Sequence, residues 1–369
     1  MNKIDKFGTY EAISLVMILM ITKIFYTSIA VLIKAEGTAA WYGTLVSCVT
    51  SLFFFFLLYL LMKRFPGKNI IQIFEVVMGK IIGKVLILGF CAYFLYYAAS
   101  NLREFIEMIK AYNLPYTPPS ILMIGFISVS AIIAYYGLEG IARVSKIVFI
   151  PILVGLALIL LLASPFYDPD FLKPYLGYGL QKTLAIGFLR SSAYEEFFVL
   201  AIIITSIHGL KTFKKVGILS IISTGVIFSL CYICNLMAFH YSVGGENLSG
   251  LFQLSKIIYF SRFIQRFESI FLFIWVIASL IAVSAAFYFS IDLYKNAFNI
   301  KNHRPIILPF ALLLFVITMI PSGISEVVQV NILFIRQYSM IFVYGVPLLV
   351  FLFSLILRKR GDLTSVQTD

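Results

Sequence analysis

The chain has 369 residues, a formal net charge of +12, 61% hydrophobic and 12% charged residues, and a mean hydropathy of +0.98. A soluble domain lies near 45–50% apolar and about 25% charged, so this composition excludes a soluble fold and leaves no room for a sizeable soluble domain beside a single membrane domain over residues 1–369. The basic residues sit in short runs between apolar stretches without any nucleic-acid-binding motif, so the partner they imply is the lipid bilayer and not a nucleic acid.

Apolar runs of membrane-crossing length place ten spans, at 11–33, 41–62, 84–110, 120–137, 141–163, 183–208, 215–242, 264–291, 305–320 and 334–357. The first apolar stretch is too long for the core of a cleaved signal peptide and is expected to be retained. Near its middle stands Lys23, in Thr22-Lys23-Ile24-Phe25-Tyr26-Thr27-Ser28. A charge at that depth costs several kcal/mol and is rare unless it faces a partner or a water-filled cavity. Span 3 carries Arg103, Glu104 and Glu107, with Arg103 and Glu107 at i, i+4 spacing. These read as a rim of a gate or as a solvated structural pair. Tyr97 and Asn101 lie one turn apart and deeper, where they would touch a ligand.

Span 6 holds Arg190, Glu195 and Glu196 near its middle, in Arg190-Ser191-Ser192-Ala193-Tyr194-Glu195-Glu196. Adjacent helical residues point about 100° apart, so the two glutamates are not expected to share a face. One is expected to face the core and the other a second partner such as Arg190. The pair with Lys23 reads either as a structural ion pair or as groups that handle ligand or proton. Neither span 1 nor span 6 has Gly or Pro there, but hydroxyl residues can satisfy freed backbone groups, so both helices can be broken at mid-membrane. The alternative is two continuous helices joined by an ion pair.

Cys48, Cys91, Cys231 and Cys234 all fall in apolar segments and read as packing residues, although Cys231 and Cys234 have C-x-x-C spacing. Arg266 and Glu268 are expected to anchor the end of span 8, ahead of Trp275 and Ser279. His208, His240 and His303 are far apart at span ends. No metal constellation, catalytic nucleophile–base arrangement or phosphate loop is apparent, and no cofactor is implied.

With the N-terminus in the cytoplasm, the cytoplasmic loops and termini carry eighteen Lys and Arg and the opposite side eight, Arg336 among the latter. That bias predicts both termini inside and an even number of spans. Ten spans divide into two sets of five, roughly 11–163 and 183–357, of opposite topology, which is a common transporter plan. The unusual charges then fall on the first helix of each set.

Six segments in order resemble the spore-germination B-subunit family, the endospore germination permeases of the amino acid–polyamine–organocation transporter superfamily. They are Lys63-Arg64-Phe65-Pro66-Gly67-Lys68, Leu102-Arg103-Glu104-Phe105, Gly140-Ile141-Ala142-Arg143, Tyr194-Glu195, Arg266-Phe267-Glu268 with Trp275, and His303-Arg304-Pro305. The resemblance implies an all-α, five-plus-five inverted-repeat fold of leucine-transporter type, with helices 1 and 6 broken. It implies a non-enzymatic protein with a small-nutrient site between spans 1, 3, 6, 8 and 10, the nutrient being an amino acid. It also implies assembly with an A subunit and a lipoprotein C subunit in the spore inner membrane. Many members carry paired glycines at the span 1 break, near Tyr26 and Ser28 here, and this chain does not. Sodium-using members of the superfamily often hold the ion against the span 1 break and span 8, where the ammonium of Lys23 could replace it. The residues expected to line the ligand site are Thr22, Lys23, Phe25, Tyr26, Thr27, Tyr97, Asn101, Ser191, Ser192, Tyr194, Glu195, Glu196, Trp275 and Ser279. Lys23, Glu195 and Glu196 are the candidates for ion or proton coupling. The rival reading is a stand-alone proton-coupled amino-acid permease.

Overall fold

The computed structural model describes residues 7–259 and 267–361, without the side chains of 330–335. The described residues form helices and connecting turns, with no strand among them. The helices fall at the ten expected positions. Span 2 is Ala40–Arg64, span 3 Lys80–Tyr112, span 4 Pro119–Tyr135, span 5 Gly137–Leu162, span 7 Gly209–Ala238, span 8 Glu268–Ala297 and span 9 Arg304–Met319. Among the described residues, six helical stretches are long and apolar enough by themselves to cross a bilayer, and Pro119–Tyr135 and Arg304–Met319 are shorter apolar helices. Spans 1 and 6 are built from pieces. Span 10 runs through Ile324–Glu326, a π-helical turn Val327–Ile332 and the long helix Leu333–Ile356.

Span 1 is Thr9–Phe25 followed by Ser28–Glu36. Tyr26 has extended backbone (φ −90°, ψ −151°), which ends the first piece, and Thr27 re-enters the helical region to start the second. Three polar groups from elsewhere bond the backbone at this break. Ser249 donates its hydroxyl to the Phe25 carbonyl at 2.9 Å, Tyr232 donates to the Ser28 carbonyl at 3.1 Å, and the Thr27 N–H donates to Glu104 Oε1 at 3.1 Å. Glycine is not needed, because tertiary partners satisfy what the helix gives up.

Span 6 is Leu180–Leu189, then nine residues of 3₁₀-helix, Arg190–Phe198, then Val199–Ile202. A 3₁₀ run of that length is unusual and marks a segment held by its surroundings. The Ser191 carbonyl accepts from Ser51 Oγ at 3.0 Å and from the Tyr344 hydroxyl at 2.7 Å, and the Gly187 carbonyl accepts from Ser47 Oγ at 2.7 Å. Spans 2 and 6 approach closely enough that a Cβ on Gly187 would lie 2.8 Å from the Gly43 carbonyl oxygen.

The first-set helices pack on their second-set counterparts: span 1 on span 6, span 2 on span 7, span 3 on span 8 and span 4 on span 9. Such mutual pairing is what a five-plus-five inverted repeat produces. It sets the two interrupted segments side by side in the buried centre. Segments assigned to the same side by their charge also touch one another. Arg64 Nε donates to the Lys359 carbonyl at 2.8 Å, Lys359 Nζ donates to the carbonyls of Val76 and Val77, and Lys146 pairs with Glu11 at 2.6 Å.

Candidate ligand-binding site

The interruption of span 6 brings both glutamates to the break of span 1. In a 3₁₀-helix, residues three apart share a face. Ser191, Tyr194 and Phe197 form one face, turned to spans 2 and 10: Tyr194 bonds Thr44 Oγ1 at 3.1 Å, and Phe197 stacks on Tyr344 at 5.4 Å. Ser192 and Glu195 form another face, turned to Lys23. Lys23 Nζ lies 2.6 Å from Glu196 Oε1 and 3.9 Å from Glu195 Oε1, and it donates to the Ser192 carbonyl at 2.8 Å. All three charged side chains are buried. The Tyr97 hydroxyl donates to Glu196 Oε1, and the tyrosine ring stands 5.6 Å from the ammonium. One oxygen of each glutamate, Oε2 in both cases, is buried without a hydrogen-bond partner among the described residues.

The expectation that the glutamates separate, one pairing with Arg190, is therefore corrected. Adjacent residues of a 3₁₀-helix point about 120° apart, so the two glutamates leave the backbone on different faces, and both reach Lys23 because its ammonium stands between those faces. Arg190 has neither ion pair nor side-chain hydrogen bond among the described residues. The reading of Lys23 as an ion substitute between spans 1 and 8 also changes. The ammonium points to span 6, and the contact with span 8 is made by Thr22, whose hydroxyl bonds the Ile18 carbonyl at 2.6 Å and approaches the Ala278 carbonyl at 3.4 Å.

A second ion pair lies beside the first. Arg336 Nη2 donates to Glu104 Oε2 at 2.9 Å, and Glu104 Oε1 also accepts from the Thr27 hydroxyl at 2.7 Å. Arg336 Nη1 reaches Thr27 Oγ1 at 3.3 Å, and its backbone carbonyl accepts from the Ser192 hydroxyl. Arg336 is thus not a loop charge, as the count by sides assumed. Its side chain is 11% exposed, on span 10. Glu104 is a site residue that the span 3 reading treated as part of a rim. Arg103 and Glu107 do pair, at 2.9 Å, but with side-chain exposures of 4% and 10% they are not solvated, and Arg103 also donates to the Thr318 carbonyl at 3.2 Å.

The carboxylate of Glu104 sits at the start of the second piece of span 1, where the helix N-terminus favours negative charge. In broken-helix transporters that position receives an anionic group of the substrate. Here the protein's own side chain occupies it.

Two small cavities flank the cluster. One, of about 30 Å³, is lined by Lys23, Arg190 and Arg336 with the hydroxyl residues Ser28, Thr44, Ser47, Ser192 and Tyr232. The other, of about 20 Å³, is lined by Lys23, Tyr97, Ser100, Asn101, Glu104, Glu195 and Arg336. Of the residues expected at the ligand site, Lys23, Tyr97, Asn101, Ser192 and Glu195 line these cavities, and Glu196 and Thr27 bond Lys23 and Arg336. Other expected residues pack around them. Tyr26 bonds Ser279 Oγ at 2.9 Å and packs edge-on against Trp275 at 6.0 Å, and Phe25 packs edge-on against Phe271 at 5.7 Å. Ser191 contacts Met340 Sδ at 3.6 Å. The four cysteines are free. Arg266 lies outside the described residues.

Interrupted helices crossing at a buried, charged centre define a membrane protein of the broken-helix transporter fold. Solved structures share it. A nucleobase–cation-symport-1 family transporter, Mhp1, in a closed conformation with bromovinylhydantoin bound, superposes with a TM-score of 0.69 at 11% identity, covering 98% of this chain and 81% of that one. A Na⁺-coupled sialic acid symporter in a substrate-bound outward-open state gives 0.64 at 11% identity, covering 93% and 78%. The chain belongs to the spore germination protein family, whose model matches residues 6–327. Among its relatives, spore germination protein KB of Bacillus subtilis (strain 168) is 24% identical over 88% of this chain and 89% of that protein. Spore germination proteins A2 and B2 of the same organism are each 22% identical at similar coverage.

Proposed function

We propose that this chain is the membrane-embedded, nutrient-binding subunit of a spore germinant receptor, and that its ligand is an amino acid. The observation that carries the reading is the buried centre at the two helix breaks. There Lys23, Arg190 and Arg336 meet Glu104, Glu195 and Glu196 around two cavities, one walled by cations and the other containing carboxylates. Such a centre is complementary to a zwitterion. Binding requires the cavities to open, since each holds about one water's share of volume. Ligand binding is then coupled to movement of the broken helices. The protein acts by changing conformation, not by catalysis, and partner A and C subunits in the spore inner membrane relay the change.

The test is thermal stabilisation of the purified full chain in nanodiscs by each of the twenty common amino acids. Saturable stabilisation by one or a few is expected, and stabilisation by none would sink the reading. A second reading, proton-coupled uptake, draws on the two carboxylates facing a single lysine, since the more distant Glu195 is a natural seat for a proton. Uptake of the stabilising amino acid, radiolabelled, into liposomes holding only this chain separates the two: accumulation driven by a pH gradient favours uptake, and its absence favours sensing.

A further inference from the structure

We infer that the cavity beside Arg190 is an anion site, and that it receives the ligand's carboxylate in place of the span 1 break. The inference deepens the amino-acid reading and rests on it for the ligand's identity, though not for the site itself.

Among the described residues, three cations line this cavity and no carboxylate does. Two of them are already neutralised, Lys23 by Glu196 at 2.6 Å and Arg336 by Glu104 at 2.9 Å. Arg190 is left over. It has no ion-pair partner among the described residues, and the carboxylate that acts on it, Glu36, has both oxygens buried without a hydrogen-bond partner there. A guanidinium with five donors and no acceptor, in a recess walled by hydroxyls, is built to hold a carboxylate bidentately. At about 30 Å³ the recess holds about one water, so a carboxylate enters it as the cavity opens on ligand binding.

The position at which a broken-helix transporter receives an anionic substrate group is closed here. The Thr27 N–H and hydroxyl both donate to Glu104. A ligand carboxylate would have to displace Glu104 from Thr27 and from Arg336, leaving a buried carboxylate without its partner. At Arg190 it displaces nothing charged. The opposite end of a zwitterion then points past Lys23 to the second cavity, which the carboxylates of Glu104 and Glu195 line.

The probe is formate, a carboxylate with no side chain, added to the full chain in nanodiscs and read as a thermal shift. Sodium gluconate at equal ionic strength controls for salt, and sodium chloride tests for a halide site. Formate should stabilise the wild type saturably where gluconate does not. Arg190→Gln should weaken formate binding about tenfold or more, Arg190→Lys less so. Glu36→Gln should tighten it, because a negative charge near the site is gone. A readout needing no variant is formate protection of Arg190 from phenylglyoxal, followed by peptide mass spectrometry. Absence of any formate effect on the wild type, saturation by chloride but not formate, or equal formate binding by Arg190→Gln would each overturn the assignment. The twenty amino acids can all fail while formate still binds through Arg190. In that case the site stands and the amino-acid reading falls.

Discussion

Removing the charge of Lys23 tests the centre most directly. Its ammonium is 2.6 Å from Glu196 and 3.9 Å from Glu195. At an effective dielectric of about 20, the gross attractions are about 6 and about 4 kcal/mol. Desolvation offsets much of both, but the difference of about 2 kcal/mol survives in a comparison of the two partners. Lys23→Met alone should cost roughly 3–5 kcal/mol, since it leaves two buried carboxylates facing no cation and the Ser192 carbonyl without its donor. Lys23→Met with Glu196→Gln should regain a substantial part of that loss. Lys23→Met with Glu195→Gln should regain less, by about 2 kcal/mol. The assay is thermal melting of the three single and two double variants in the same nanodiscs, read as coupling energies. Equal coupling to both glutamates, or stronger coupling to Glu195, would refute the geometry. Additive losses in both double variants would show that Lys23 does not belong to the cluster.

The Glu104–Arg336 pair should behave likewise: either Glu104→Gln or Arg336→Met costs about 3–5 kcal/mol in melting experiments, and the double variant costs less than the sum. Glu36→Gln should differ in sign, being neutral or stabilising by about 1–2 kcal/mol, because it removes a buried charge whose oxygens have no partner in the described residues. Ligand affinity should be the same in sodium and potassium buffers, since the ammonium of Lys23 already takes the Ser192 carbonyl freed by span 6 and Thr22 already approaches the Ala278 carbonyl of span 8. A gain of about tenfold in sodium, about 1.4 kcal/mol, would contradict this. For topology, Tyr116→Cys, at a position 98% exposed between spans 3 and 4, should be labelled from outside, and Arg360→Cys from inside. Labelling of both from one side would overturn the orientation.

The ten spans were legible in the sequence, and so was the depth of Lys23, Glu195 and Glu196 in their spans. The interruption of spans 1 and 6 came from the family resemblance, since the residues alone left open two continuous helices. Spans and depth follow from local quantities. A run of apolar residues long enough for a bilayer declares itself without knowledge of its neighbours, and a charge within such a run is costly wherever the chain goes. The partnerships were not legible. Glu104 and Arg336 lie 232 residues apart, and nothing in either segment names the other. Arg336, close to the predicted start of span 10, looked like a loop cation, because depth along a helix is decided by where the helix packs. The two glutamates were expected to diverge because adjacent residues leave a helix in different directions, and that angle says nothing of where a partner on another helix stands. The tertiary partners Ser47, Ser51, Lys23 and Tyr344 take the freed carbonyls of span 6 and hold it beside span 1, where the Lys23 ammonium lies within reach of both carboxylates. Composition and periodicity settle what must be buried. Which charges meet there depends on the crossing of helices far apart in the chain, and on the backbone groups those crossings satisfy.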